Sequence, residues 1–101
     1  MPRIRMQKSS GNVFLDMGIP RAKAVHLQIR SQMMIELTRL IEKNDLTQKA
    51  AAKLMGVTQP RVSDLVRGNI DVFSIDTLIE MLDCFDVTVT VTTRKRRRRA
   101  A

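Results

Sequence analysis

A run of polar side chains between residues 58 and 67 has the chemistry to recognise a hydrogen-bonding surface. Its members are Thr58, Gln59, Arg61, Ser63, Asp64 and Arg67. Val62, Leu65 and Val66 recur between them at three- and four-residue intervals, which predicts a helix with one apolar stripe. The polar side chains would then point outward. Amide and guanidinium groups on such a helix can pair bidentately with adenine and guanine in the major groove of DNA.

The residues around this helix predict how it is positioned. Thr58 is a good N-cap, Pro60 suits the first turn, and Gly68 can end the helix. A preceding helix is predicted from Gln48 to Met55, between a cap at Thr47 and a stop at Gly56. Two short helices joined by a tight turn form a helix-turn-helix, which needs small residues at the crossing, a glycine in the turn and buried aliphatic residues on the second helix. The residues that meet these needs are Ala51, Ala52, Gly56, Val57, Val62 and Leu65.

The expected contacts with DNA follow from position on the two helices. The first turn of a recognition helix enters the groove most deeply, and the start of the preceding helix can bind phosphates with side chains and backbone N–H groups. The predicted base-contacting residues are Thr58, Gln59, Arg61, Ser63 and Asp64. The predicted phosphate-contacting residues are Thr47, Gln48, Lys49 and Arg67. The carboxylate of Asp64 could accept from cytosine or orient a neighbouring arginine. The alternative is that these side chains are simply solvated, on two helices that only pack a bundle.

The remaining apolar patterns predict two further helices and a strand. A long amphipathic helix runs from Pro20 to Asn44, and another runs from a cap at Ser74 or Asp71 to Phe85. Cys84 would be a small core residue of that helix. Beyond it, Val87, Val89 and Val91 alternate with threonines, the period of a half-buried strand. This strand must pair with the N-terminal arm or with the same strand of a second subunit, and the second option predicts a dimer.

The chain therefore predicts an all-α fold of four to five helices with a short C-terminal β-strand. We expect residues 1–19 to be an N-terminal arm, mobile unless docked, and residues 20–93 to be the folded domain. Residues 94–101 are expected to be a disordered basic tail, which could bind phosphates or be inert. That tail supplies six of the net +8 charge. DNA binding must therefore be argued from where charges lie, and the acidic stretch 69–86 should face away from DNA.

Other classes of function find little support in the sequence. One histidine, His26, and one cysteine, Cys84, give neither a zinc-ligand pattern nor a nucleophile with its base, so we expect no enzyme, metal or cofactor. Too few aromatic residues are present for single-stranded RNA to be stacked. No apolar run has the length of a signal peptide or a membrane span, which predicts a soluble cytoplasmic protein without a membrane partner.

The segment from Leu46 to Leu65, with its LTQ and AAKLMGVTQPRVSDL sequences, resembles the phage-repressor-like XRE (Cro/C1-type) helix-turn-helix family. The segments Asn12–Gly18 and Ile75–Leu78 extend the likeness, over about residues 12–92, to its HigA-like antitoxin subgroup. The resemblance implies a homodimer that binds a palindromic operator in double-stranded DNA, represses its own operon and neutralises a small RNase toxin. The alternatives are a stand-alone repressor with no toxin partner and a helical protein-interaction module. The arginine-rich tail departs from the family pattern.

Overall fold

The computed structural model describes residues 3–6 and 12–95. In chain order, the described elements are β1 (Arg3–Met6), α1 (Val13–Asp16), α2 (Arg21–Lys43), α3 (Gln48–Met55), α4 (Gln59–Val66), a 3-10 turn (Ile70–Val72), α5 (Ile75–Asp83) and β2 (Thr88–Val91). The predicted fold class, all-α with a short C-terminal strand, is confirmed.

Helix α2 forms the centre of the molecule, and α4, α5 and the 70–72 turn pack against it. Its side chains at Met33, Leu37 and Leu40 are almost fully buried. They meet Val62 and Leu65 of α4 and Leu78, Met81 and Leu82 of α5 in one continuous core. Burial of a large aliphatic side chain stabilises a fold by about 1.5–3 kcal/mol, so this shared core holds α4 in place.

Side-chain caps define where the three short helices begin. The hydroxyl oxygens of Thr47, Thr58 and Ser74 accept from the backbone N–H groups of Ala50, Arg61 and Thr77, at 3.0, 3.4 and 3.1 Å. These caps confirm the predicted starts of α3 and α4, and they select Ser74 over Asp71 for α5. Each removes one unpaired N–H group from a helix terminus.

Helix α1 was not predicted, because four residues are too few for an apolar period to be detected. Asn12 starts it by accepting from the backbone N–H of Phe14 at 2.9 Å. The side-chain amide of Asn12 also donates to the carbonyl of Ala24 on α2 at 3.1 Å, and Asn12 is only 5% exposed. This buried hydrogen bond fastens the start of α1 to α2.

The two strands form a parallel two-stranded sheet within the chain, with Arg3 beside Thr88 and Met6 beside Val91. The strand β2 thus pairs with the N-terminal arm, the first of the two alternatives drawn from the sequence. The domain limits at residues 19/20 and 93/94 stay predictions. Of the predicted disordered tail, residues 96–101 lie outside the described residues.

Cys84 and Val66 lie nearer the solvent than expected. Cys84, predicted in the core, is exposed, because α5 ends at Asp83 and Cys84 caps it beyond the buried positions. Val66, predicted in the apolar stripe of α4, is 43% exposed at the last helical position. The buried stripe of α4 therefore consists of Val62 and Leu65.

Candidate nucleic-acid interface

Helices α3 and α4 are joined by three residues whose conformation sets their crossing. Gly56 has φ +67°, in the left-handed region, and ends α3. The backbone N–H of Val57 then donates to the carbonyl of Ala52 at 3.0 Å, and Thr58 caps α4. Ala51 and Val62 are fully buried, which lets the two helices approach closely. These features are those of the predicted helix-turn-helix.

The first turn of α4 is open to solvent. Thr58, Gln59 and Arg61 are all exposed. The hydroxyl oxygen of Thr58 accepts from the backbone N–H of Arg61 and so caps the helix. Gln59 makes no side-chain hydrogen bond with the described residues, so both ends of its amide are available to a base.

Arg61 is exposed but already has partners in the protein. Its Nη1 donates to the carbonyl of Val72 at 3.0 Å. Its guanidinium carbon lies 5.7 Å from the centroid of the buried Phe73 ring, within range of a cation–π contact. Arg61 must therefore leave the turn that follows α4 before it can pair with a guanine.

Asp64 and Arg67 form an ion pair at the end of α4. A carboxylate oxygen of half-buried Asp64 accepts from Nδ2 of Asn69 at 2.9 Å and from Nη2 of Arg67 at 3.1 Å. The Asn69 hydrogen bond, and after it that of Arg67, lowers the pKa of Asp64. These bonds orient Arg67 and Asn69 in the protein, and the contact of Asp64 with a base stays a prediction. Ser63 is half-buried beside it.

The predicted phosphate-contacting residues lie together at the start of α3, apart from Arg67. Thr47 and Lys49 are exposed and Gln48 is half-buried. The Thr47 hydroxyl satisfies the N–H of Ala50. The neighbouring N–H groups of the first turn and the Lys49 ammonium remain suited to an anion.

Arg30 on α2 was missed from the sequence, although it positions the end of the helix-turn-helix. Its Nη1 donates to the carbonyls of Ile70 and Phe73, at 3.0 and 3.2 Å, and thus ties both ends of the 70–72 turn to α2. No local pattern marks this residue, because its acceptors lie 40 and 43 positions further along the chain. Asn69, the partner of Asp64, was missed for a similar reason, since a polar residue after a glycine suggests only a loop.

The acidic side chains of Asp71, Asp76, Glu80, Asp83 and Asp86 are all exposed, and that this surface faces away from DNA stays a prediction. Among the described residues, no group of three or more His, Cys, Asp or Glu side chains could hold a metal ion. In the same part of the chain, no helix is both long enough and apolar enough to cross a membrane.

The chain is similar to a known domain family and to a solved structure. The profile of a family described as a helix-turn-helix domain matches residues 13–94. A solved structure assigned to the XRE family of transcriptional regulators is 34% identical, with a TM-score of 0.69, over 81% of this chain and 91% of that one. No curated protein sequence matches the chain significantly.

Proposed function

Because this chain belongs to the XRE-type helix-turn-helix family, we propose that it is a sequence-specific DNA-binding transcriptional regulator. The observation that carries the proposal is the geometry of α3 and α4. A glycine turn and two caps position α4, its buried stripe fixes its rotation, and its first turn is exposed. A helix held in this way can enter the major groove without rearrangement of the core.

We propose different roles for the residues of this surface. Gln59 contacts a base directly, because its side chain is exposed and makes no bond within the described protein. Thr58, Arg61 and Ser63 complete the base-contacting set. Asp64 acts through Arg67, which it directs toward a phosphate. Thr47, Gln48 and Lys49 bind the phosphates that fix the register of the protein on the duplex.

The operator in this proposal is palindromic and the protein binds it as a homodimer. Two copies of α4 related by a two-fold axis would enter half-sites about 34 Å apart, or a multiple of that distance. Each copy then contributes the same small set of contacts, and the two sets together provide specificity.

We further propose that the protein is an autorepressing antitoxin of a type II toxin–antitoxin pair. Support comes from the resemblance of residues 12–18 and 75–78 to the HigA-like subgroup. The first of these segments contains α1 and the second begins α5, so both belong to the folded body. The toxin would be a small RNase encoded beside this gene.

The regulator proposal is tested by fluorescence anisotropy with the DNA upstream of the gene and with a shuffled duplex. Titrations at two salt concentrations compare the full chain with one lacking residues 94–101. We expect a preference for the upstream DNA that survives the deletion. Equal binding to both duplexes that depends steeply on salt and disappears when residues 94–101 are deleted would refute the proposal. The domain would then be a protein-interaction module.

A matched pair of variants tests whether α4 determines the specificity for the operator. Gln59→Ala should lower the affinity for the operator by about 1–3 kcal/mol and leave that for shuffled DNA almost unchanged. Gln28→Ala, the same substitution on α2, should change neither. Equal effects of the two variants would contradict the role of Gln59.

The antitoxin proposal is tested separately by expression of the neighbouring gene with and without this protein. We expect growth arrest and RNA cleavage from the neighbour alone, and rescue with a co-purifying complex when both are present. A specific operator complex without any such rescue would identify a stand-alone repressor.

A further inference from the structure

Asn69, three residues after the end of α4, is held by its backbone on two sides. Its N–H donates to the carbonyl of Asp64 at 2.9 Å, and its carbonyl accepts from the N–H of Val72 at 3.3 Å. Gly68 before it has φ +80°, in the left-handed region, which turns the chain back directly after the helix. The position of Asn69 is therefore fixed, although its side chain is exposed.

One carboxylate oxygen of Asp64, Oδ1, accepts from two side chains that follow α4. Nδ2 of Asn69 donates to it at 2.9 Å and Nη2 of Arg67 at 3.1 Å. Arg67 meets the carboxylate through this one nitrogen, and its side chain is 66% exposed, against 25% for Asp64. An exposed ion pair with a single contact constrains an arginine only weakly. The orientation of Arg67 therefore depends on what holds the carboxylate.

The amide of Asn69 holds that carboxylate. The terminal torsion of an aspartate is broad, so a carboxylate with one mobile partner can turn. Asn69 donates to it from a backbone that is itself fixed by hydrogen bonds, which removes this freedom. The same bond is the largest cause of the lowered pKa of Asp64, ahead of the bond from Arg67. Asn69 is thus the firmer of the two partners of Asp64.

Arg67 keeps donors for a further ligand. Among the described residues, Asp64 is the one partner of its side chain, so the Nε and Nη1 groups remain available. A long exposed side chain loses rotamer freedom when it binds, and this loss lowers the affinity. A guanidinium that is already oriented by Asp64 has given up part of this freedom in the free protein. It can therefore bind a phosphate at a smaller entropic cost.

We propose that Asn69 is a positioning residue of the DNA-binding surface, which acts through the carboxylate of Asp64 to orient the guanidinium of Arg67 toward a phosphate of the duplex. This proposal rests on the proposed function, in which Arg67 contacts a phosphate. Asn69 itself does not touch the DNA in this arrangement. Because a phosphate contact carries no sequence information, Asn69 affects the affinity for any duplex and leaves the preference for the operator unchanged.

A double-mutant cycle on the full chain, read by fluorescence anisotropy, tests this role. Asn69→Ala should lower the affinity for operator and shuffled DNA alike by about threefold, because Arg67 must then be ordered on binding. In an Arg67→Ala background the same substitution should have no effect, since no guanidinium is left to orient. Gln28→Ala, which removes a side-chain amide from α2, is the control and should change neither affinity. An unchanged affinity in Asn69→Ala, or a loss that persists without Arg67, overturns the proposal.

The orientation of Arg67 can also be measured without DNA, by ¹⁵N relaxation of its Nε–H group. We expect its order parameter to fall in Asn69→Ala and in Asp64→Ala. Arg39, which pairs with Glu36 on α2, supplies the internal control, because its order parameter should stay the same in both variants. An Arg67 side chain that is equally ordered with and without the Asn69 amide overturns the proposal.

The role of Asn69 and the proposed function can fail independently. A chain that prefers its operator over shuffled DNA but is indifferent to Asn69→Ala refutes the role of Asn69 and leaves the regulator. A chain that binds both duplexes equally, and loses affinity in Asn69→Ala only while Arg67 is present, refutes the regulator and leaves the role of Asn69.

Discussion

Replacement of Arg61 by alanine should affect both the stability of the protein and its affinity for DNA, by different amounts. In the free protein the guanidinium donates to the carbonyl of Val72 and lies against the Phe73 ring. Both contacts are made at an exposed side chain, so each is partly screened by water. Together they should stabilise the fold by about 1 kcal/mol.

Arg61→Ala should reduce the affinity for DNA by less than the loss of an arginine that has no contacts within the protein. A bidentate contact with guanine is worth about 1–3 kcal/mol of discrimination. The wild-type side chain must first give up its contacts with Val72 and Phe73, at a cost of about 1 kcal/mol, and the alanine variant does not. The net loss of operator affinity should therefore be about 1 kcal/mol, or roughly fivefold.

Two assays on the same protein separate these effects. Thermal unfolding of Arg61→Ala should show a midpoint lower by about 4–8 °C, with the variant still folded at 25 °C. Anisotropy titrations then compare operator with shuffled DNA. Arg61→Lys is the matched control: it retains the charge but lacks the planar donor pair, so it should restore affinity for shuffled DNA and leave the operator preference reduced. Full restoration of the preference by lysine, or equal losses on both duplexes in the alanine variant, would refute the base-contacting role.

Four further predictions concern helices α3 and α4 and the turn between them. Leu65 is 1% exposed, so Leu65→Ala should lower the free energy of unfolding, measured by urea denaturation, by about 2–5 kcal/mol. Leu65→Met nearly conserves the volume of the side chain and should cost less than about 1.5 kcal/mol. Equal losses in the two variants would contradict close packing at this position. Gly56→Ala should cost about 1–2 kcal/mol from backbone strain alone, since φ is +67° and a Cβ there meets no atom within 4 Å, and Gly56→Asn should cost less. The pKa of Asp64 lies below its ordinary value of 3.8, chiefly because Asn69 donates a hydrogen bond to its carboxylate, so the carboxylate stabilises the fold above pH 3.8 and this stabilisation is lost as pH falls through the folded pKa. The difference in urea midpoint between the wild type and Asp64→Asn should therefore shrink toward acid pH. A difference that does not change with pH would refute this. Lys49→Ala should weaken binding to operator and shuffled DNA alike and lower the salt slope by about one unit, whereas a loss confined to the operator would exclude a phosphate contact.

The parts of the fold that sequence patterns predicted are those encoded within one turn or one helix. Thr47 and Thr58 mark helix starts because a hydroxyl can accept an N–H three residues on, and this is a local property. The burial of Val62 and Leu65 follows in the same way from a short period. For this reason the all-α class, the helix-turn-helix and the exposed first turn of α4 could be predicted from the sequence.

The parts that escaped prediction depend on contacts between distant residues. Nothing near Arg30 in the sequence indicates that its guanidinium binds carbonyls 40 and 43 positions away. Likewise, the short helix α1 owes its place to one buried amide, that of Asn12, which donates to α2. Cys84 was misplaced because an apolar period does not show at which residue a helix ends.

The pairing of β1 with β2 also has a consequence for how the chain folds. Arg3 lies beside Thr88, so 85 positions separate the paired strands, whereas each helix forms from neighbouring residues. Closing a loop of that length costs about 2 kcal/mol more chain entropy than closing one of ten residues. The helices should therefore assemble first, and the sheet should be the last element to form and the first to open. Amide hydrogens of β2 should exchange with solvent through this local opening well before those of α2, which exchange only when the whole core unfolds.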